Sequence, residues 1–306
     1  MVRAVLWLLM GGIIVSQVHA NTVLRTEQLA ENVYALIGPT SNRTPTNLGN
    51  NANFGVIVTQ QGVVLIDSGG SYKGAEMIHQ AIQKITDQPV KIVINTGGQD
   101  HRWLGNGYFK QLGAEIITSD KAVKDQKARL QDQWFRLDQL VGSEGLAQTE
   151  AVYADRTFSE QEMITVGDTQ VELYHRGHAH TPGDLFVWLP QHKIVFSGDI
   201  VYVDRMLGVG PQSAHLSWIA AFEAMASKQP EMVVGGHGNP ATLARATADS
   251  YDYLVFLRKA VQDFMDEDFG IEEIGKIDQS RFSYLQNFDS LKGRNAQRVF
   301  EELEWE

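Results

Sequence analysis

The sequence predicts an α/β fold of four layers, an αββα sandwich with two sheets face to face and helices outside. Three observations predict it. Short apolar strands alternate with amphipathic helices early in the chain, four closely spaced strands follow in the middle, and strand–helix alternation then resumes. The 306 residues suffice to bury about three quarters of the unfolded surface, in one large or two modest domains.

The first twenty residues differ from the rest. Arg3 precedes an apolar run from Ala4 to Val15, and Val18-His19-Ala20 puts small residues where a signal peptidase cleaves. A bilayer span needs roughly 20 apolar residues, and this run is shorter. Residues 1–20 are therefore expected to be a signal peptide, with the mature chain starting at Asn21 in the periplasm or outside the cell. No later segment reads as an integral membrane span.

In the mature chain, Val33–Ile37 and Phe54–Val58 alternate as strands do, and Gln61-Gly62 turns into Val63–Ile66. Ala75, Ile78, Ala81, Ile82 and Ile85 form a helical stripe over 72–85, and Val90–Ile94 is a buried strand. Glu115–Ile117 leads into a long charged helix over 122–140. Met163–Val166, Thr169–Tyr174, Asp184–Leu189 and Lys193–Phe196 are the four central strands. A helix over 216–226 and the strand Met232–Val234 follow, and everything after Ala241 reads helical, with a break near Phe269-Gly270. The predicted organisation is a signal peptide at 1–20, a sandwich domain at 21–245 and a C-terminal helical extension at 246–306.

Composition narrows the function. With 26 basic and 37 acidic side chains the net charge is −11, and no long basic face is present to bind nucleic acid. The absence of cysteine removes disulfides, thiolate ligands and a cysteine nucleophile. Imidazole and carboxylate remain as metal ligands, and they suit zinc or a similar divalent ion. Four segments at predicted strand ends carry them: Asn95 to His101, Gly177 to Asp184, Ser197-Gly198-Asp199 and Gly235-Gly236-His237-Gly238. Taken alone, His180 or His237 is more often a hydrogen-bonded loop histidine.

Taken together, Asp100-His101, His180-Thr181-Pro182-Gly183-Asp184, Gly198-Asp199 and Gly235-Gly236-His237, with Ile66-Asp67-Ser68-Gly69 upstream, resemble the metallo-β-lactamase-fold hydrolases. The resemblance runs from about Val33 to Pro240, and its nearest branch is the exported, quinoprotein-associated zinc hydrolases. It implies the same αββα sandwich with metal at the edge between the sheets. By position, Asp100, His101 and His237 match one metal site, Asp199 the carboxylate shared by two metals, and His180 a ligand of the other site. The family pattern His-x-His-x-Asp-His is degenerate, because Thr96 and Gly98 stand at its leading histidines; the alternative register offers Gly97 and Gln99. The resemblance thus implies one zinc per chain, held by Asp100, His101, Asp199 and His237, with Asp100 also the catalytic candidate. Histidines at 96 and 98 are expected to restore a second site.

The remaining candidates have plainer alternatives. His178 could replace a lost ligand or contact substrate, but an exposed loop histidine is the commoner case. Arg205 could meet an anionic substrate, and an ion pair with Asp204 explains it equally well. Asp67 reads as a buried carboxylate that organises the metal loop. The expected function is a hydrolase that activates water against an ester, lactone or amide-type bond of a small molecule; the alternative is a non-catalytic binding protein that keeps a structural or vestigial metal.

Overall fold

The computed structural model describes residues 23–306, so the assigned signal peptide and Asn21 lie outside the described residues. Twelve strands form two sheets. The first runs in chain order: β1 (Arg25–Ala30), β2 (Val33–Ile37), β3 (Asn53–Thr59), β4 (Gly62–Ile66), β5 (Val90–Ile94), β6 (Glu115–Ser119) and β7 (Arg156–Phe158). The second holds β8 (Gln161–Val166), β9 (Thr169–His175), β10 (Leu185–Leu189), β11 (Ile194–Phe196) and β12 (Met232–Val234), in the order β12-β11-β10-β9-β8. The hairpin-linked strands pair antiparallel, whereas β4 to β7 and the β11–β12 pair run parallel. Parallel strands are covered on both faces, which is why β4 is the unbroken apolar run Val63–Ile66, all buried.

The sheets pack through Val33, Ile57, Ile66 and Ile94 on one side and Leu173, Leu185, Val187 and Phe196 on the other. Outside the first sheet lie α1 (Tyr72–Ile82), the short α2 (Asp100–Trp103) and α3 (Asn106–Gln111), and α4 (Asp120–Val141). Ser71 and Ser119 cap α1 and α4, each hydroxyl accepting from the backbone N–H three residues on. Outside the second sheet lie α5 (His215–Ala226), the single turn α6 (Leu243–Ala246), α7 (Asp252–Asp266) and α8 (Phe288–Leu303). The result is the four-layer order predicted from the sequence.

The helices after residue 246 share one hydrophobic cluster with the sandwich: Trp218 and Phe222 of α5 meet Tyr253 and Leu257 of α7, Val299 and Phe300 of α8, and Phe186 and Val233 of the sheet. A carboxylate of α8 also serves α5, since both Glu302 oxygens accept from His215 N–H at 2.8 and 3.0 Å. Two strands were absent from the sequence reading. β1 is an exposed edge strand, Arg-Thr-Glu-Gln-Leu-Ala, and β7 has three residues, so neither carries an apolar pattern. Among the described residues no helix is long and apolar enough to cross a membrane.

Candidate metal centre

Four strand ends meet at one edge of the sandwich. β5 leads through Asn95-Thr96-Gly97-Gly98-Gln99 into α2, β11 into the turn Gly198–Ile200, and β12 into Gly235-Gly236-His237, while Asp67 follows β4. Carboxyl ends of parallel strands are where α/β sheets present ligand-binding loops. Gly236 is required by close approach, because a Cβ there would collide with the Arg102 guanidinium and the Asp199 carboxylate.

Among the described residues, His101, Asp199 and His237 bring one ligand atom each within 4.8 Å of one another, all three side chains buried. His101 Nε2 lies 3.2 Å from Asp199 Oδ2, and His237 Nε2 lies 3.3 Å from Asp199 Oδ1. The two rings meet edge to face, and Tyr202 stacks on His237. Asp100 is buried beside them, but its Oδ1 accepts from Arg43, from Nε at 3.0 Å and from Nη2, while its Oδ2 is buried without a hydrogen-bond partner.

Guanidinium groups organise the centre. Arg102, 1% exposed, donates from Nη2 to Asp199 Oδ1 at 2.7 Å and from Nη1 to Asp67 Oδ2 at 2.9 Å, and further to the carbonyls of Asn53 and Gly236. Arg43 reaches His101 Nδ1 at 2.8 Å and Arg205 reaches His237 Nδ1 at 3.1 Å. A guanidinium only donates, so both Nδ1 atoms accept, and each neutral ring carries its proton on Nε2, aimed at Asp199. Burial, reinforced by Arg102 and Arg43, pulls His101 down to about 4, and burial with Arg205 holds His237 well below the usual range. Burial opposes ionisation of Asp199, but Arg102 and His101 outweigh it and hold the carboxyl well below its ordinary value. Asp100 is likewise lowered, its burial outweighed chiefly by Arg43. Asp67 is pushed up to about 6 by burial, despite Arg102, and accepts from Thr96 N–H at 2.7 Å.

Two imidazoles and a carboxylate with ligand atoms within 4.8 Å of one another are a donor set that suits one divalent cation. Each histidine Nε2 lies within 3.3 Å of an Asp199 oxygen, whereas Asp100, expected as a fourth ligand, is not among the three: its Oδ1 is bonded to Arg43 on the Nδ1 side of His101. The rings can ligate through Nε2 once Arg43 and Arg205 release their Nδ1 atoms, because a metal-bound imidazole carries its proton on the far nitrogen. His180 does not join the three. Its Nδ1 lies 3.0 Å from the Gly208 carbonyl, its ring packs edge-on against Trp218, and burial takes it down to about 4.

The expected rescue of a second site by histidines at 96 and 98 conflicts with the structure. Thr96 Oγ1 is committed to the Asp67 carboxylate, and a Cβ on Gly98 would fall on the Asp125 carboxylate. Asp184 likewise closes against Gly97 and is pushed up to about 8 by burial and by Asp199. Side chains of α4 fasten the same loop: Gln133 donates to the Gly98 carbonyl at 2.9 Å and Gln126 to that of Gly97 at 3.3 Å. Helix α4 thus fills the place that leading histidines would need.

Of the weaker candidates, Arg205 lines a cavity of about 180 Å³ that opens onto the histidines, and His178 does not; its Nε2 lies 2.6 Å from the Gln212 carbonyl. Gln99 lines the cavity, its Oε1 facing Arg129 at 3.5 Å. Arg43, Arg102, Arg136 and Arg294 escaped the sequence reading. For Arg102 the signal was its place beside Asp100-His101 at a strand end; the others stand in polar contexts that mark nothing.

Comparison with known proteins gives this arrangement its family. Residues 48–237, well over half the chain, match the model of the metallo-beta-lactamase superfamily. A "Metallo-beta-lactamase type 2" of Elizabethkingia meningoseptica is 27% identical over 222 residues, 70% of this chain and 78% of that protein. Among solved structures, a metallo-beta-lactamase from Pontibacter korlensis superposes with a TM-score of 0.60 at 20% identity, over 76% of this chain and 99% of that one. A stereoselective inverting sec-alkylsulfatase from Pseudomonas sp. reaches a TM-score of 0.71 at 16% identity; it matches 91% of this chain, which spans only 50% of the sulfatase. The superfamily typically uses divalent metals, often zinc, and with this fold, a candidate His/Asp metal site and a matching family model, the chain belongs to the metallo-beta-lactamase superfamily.

Proposed function

We propose that the protein is an exported hydrolase that uses one divalent metal, zinc in the first instance, to attack an ester, lactone or amide-type bond with water. The observation that carries this reading is the convergence of the buried His101, Asp199 and His237 ligand atoms to within 4.8 Å of one another. A divalent ion there supplies acidity to water and polarises the bond under attack. The chain's own residues do the rest. Asp199, between the two neutral imidazoles, would offset part of the ion's charge, Arg102 fixes its plane, and the buried setting keeps the site in a low dielectric, where oriented charges act strongly. Asp100, held ionised chiefly by Arg43, would offer its partnerless Oδ2 as proton acceptor for the attacking water. Export rests on the composition of residues 1–20.

One observation favours the alternative, a binding protein with a vestigial site: the Arg43 and Arg205 guanidiniums complete the hydrogen bonding of both rings without a metal. Turnover separates the two. Full-length mature protein, supplied with zinc, is assayed against activated esters, lactones, lactams and alkyl sulfates, the last two suggested by the relatives' names. Hydrolysis lost with a chelator, restored by zinc and abolished in His237→Ala supports the hydrolase. No turnover across the panel, with zinc bound, supports the binding protein.

A further inference from the structure

We infer that the cavity over the metal centre is a recognition site for a small polyanion, a molecule with two or more carboxylate, sulfate or phosphate groups, and that the C-terminal helix α8 supplies part of its specificity. This names the substrate class of the proposed hydrolase, and rests on that reading for catalysis though not for binding.

Four arginines line the cavity: Arg43 from the loop after β2, Arg136 from α4, Arg205 from the loop after β11 and Arg294 from α8. No acidic side chain lines it, in a chain whose net charge is −11. Among the described residues Arg43 is paired, with Asp100, whereas Arg136, Arg205 and Arg294 form no ion pair, and Arg205 Nε is buried without any hydrogen-bond partner. Arg136 and Arg294 are exposed at the cavity's rim and Arg205 is part-buried within it. Three elements thus present guanidiniums to one cavity that has no carboxylate, which raises the local concentration of anions. Three guanidiniums without a carboxylate partner match two or three negative charges, and their planar forks suit oxyanions with paired oxygens. The wall is built to hold shape: Asn295 Oδ1 accepts from Val209 N–H at 2.9 Å and its Nδ2 donates to the Leu207 carbonyl at 2.8 Å, which ties the loop over the cavity to α8. The volume, about 180 Å³, lies below the usual range for drug-sized ligands and limits the occupant to a small molecule.

The test is calorimetric titration of mature protein with tricarballylate, with inorganic phosphate, and with the neutral trimethyl ester of tricarballylate. Saturable binding of at least one anion with Kd below about 1 mM is expected, none for the ester, and a loss of ~10-fold in affinity for each of Arg294→Gln and Arg136→Gln. Lys193→Gln, exposed and outside the cavity, should bind as the parent does. Equal binding by parent and both arginine variants, or no saturable binding of either anion, overturns the inference. Anion binding without turnover of any substrate leaves the inference standing and defeats the hydrolase reading; turnover without anion binding or preference does the reverse.

Discussion

Arg102 grips Asp199 side-on, Nη2 at 2.7 Å from Oδ1 and Nε at 3.3 Å from Oδ2, so the carboxylate plane is fixed before any ligand arrives. The same guanidinium holds Asp67, which in turn receives Thr96, so one buried cation joins the loops after β4, β5 and β11.

Removing that cation leaves two buried carboxylates without their partner. Arg102→Met should destabilise the protein by about 3–5 kcal/mol, the cost of breaking a buried pair. Arg102→Lys should recover only part of it, because an ammonium cannot fork to Asp199 and reach Asp67 together. Urea unfolding monitored by tryptophan fluorescence measures both; a change within ~0.5 kcal/mol for the Met variant contradicts the role assigned to Arg102.

Histidine cannot simply be returned to the degenerate motif. Thr96→His with Gly98→His should leave metal content unchanged and lower stability by roughly 2 kcal/mol or more, since the Asp125 carboxylate fills the space a Gly98 side chain needs. Adding Asp125→Gly should restore part of the stability. Metal analysis beside thermal melts checks it; two metals per chain in a fully stable double variant would show that α4 yields more readily than its hydrogen bonds imply.

His215 reports on acid stability away from the metal centre. It opens α5 and is fully buried, with the Leu254 backbone as its ring's one weak polar neighbour. Burial, reinforced by Arg258 of α7 and opposed by the Leu254 backbone and by Glu306, takes it from 6.5 to about 4, while Glu302 of α8 meets its backbone N–H. The unfolded chain therefore takes up a proton first as pH falls. The stabilisation is full above pH 6.5 and is lost progressively toward pH 4, by up to about 3 kcal/mol for such a shift. His215→Leu should flatten the stability profile across that window relative to the parent. Parallel profiles for the two proteins would contradict it.

The sequence disclosed what is local and what repeats. Val63–Ile66 and Met232–Val234 are apolar runs between turn residues, Val90–Ile94 is apolar but for the exposed Lys91, and each is a strand in the structure. The loops bearing His101, Asp199 and His237 were legible because their glycines and ligands are neighbours in the chain. What stayed hidden depends on contacts across distance. Nothing around Gly98 announces that Asp125 occupies its missing side chain, and nothing in Arg102 itself separates a buried guanidinium from a surface one. The arginine-lined cavity was invisible for the same reason: Arg43, Arg136 and Arg294 are far apart in sequence and line one cavity only in the folded chain.

The central claim is that His101, Asp199 and His237 hold one divalent ion. It is tested most directly by elemental analysis of the purified protein after incubation with zinc and exhaustive dialysis, beside His237→Ala and Asp199→Asn. About one zinc per chain is predicted for the parent, falling by ~90% in either variant, because each leaves an incomplete ligand set. No retained zinc in a folded parent protein, or zinc retained equally by all three proteins, would contradict the account.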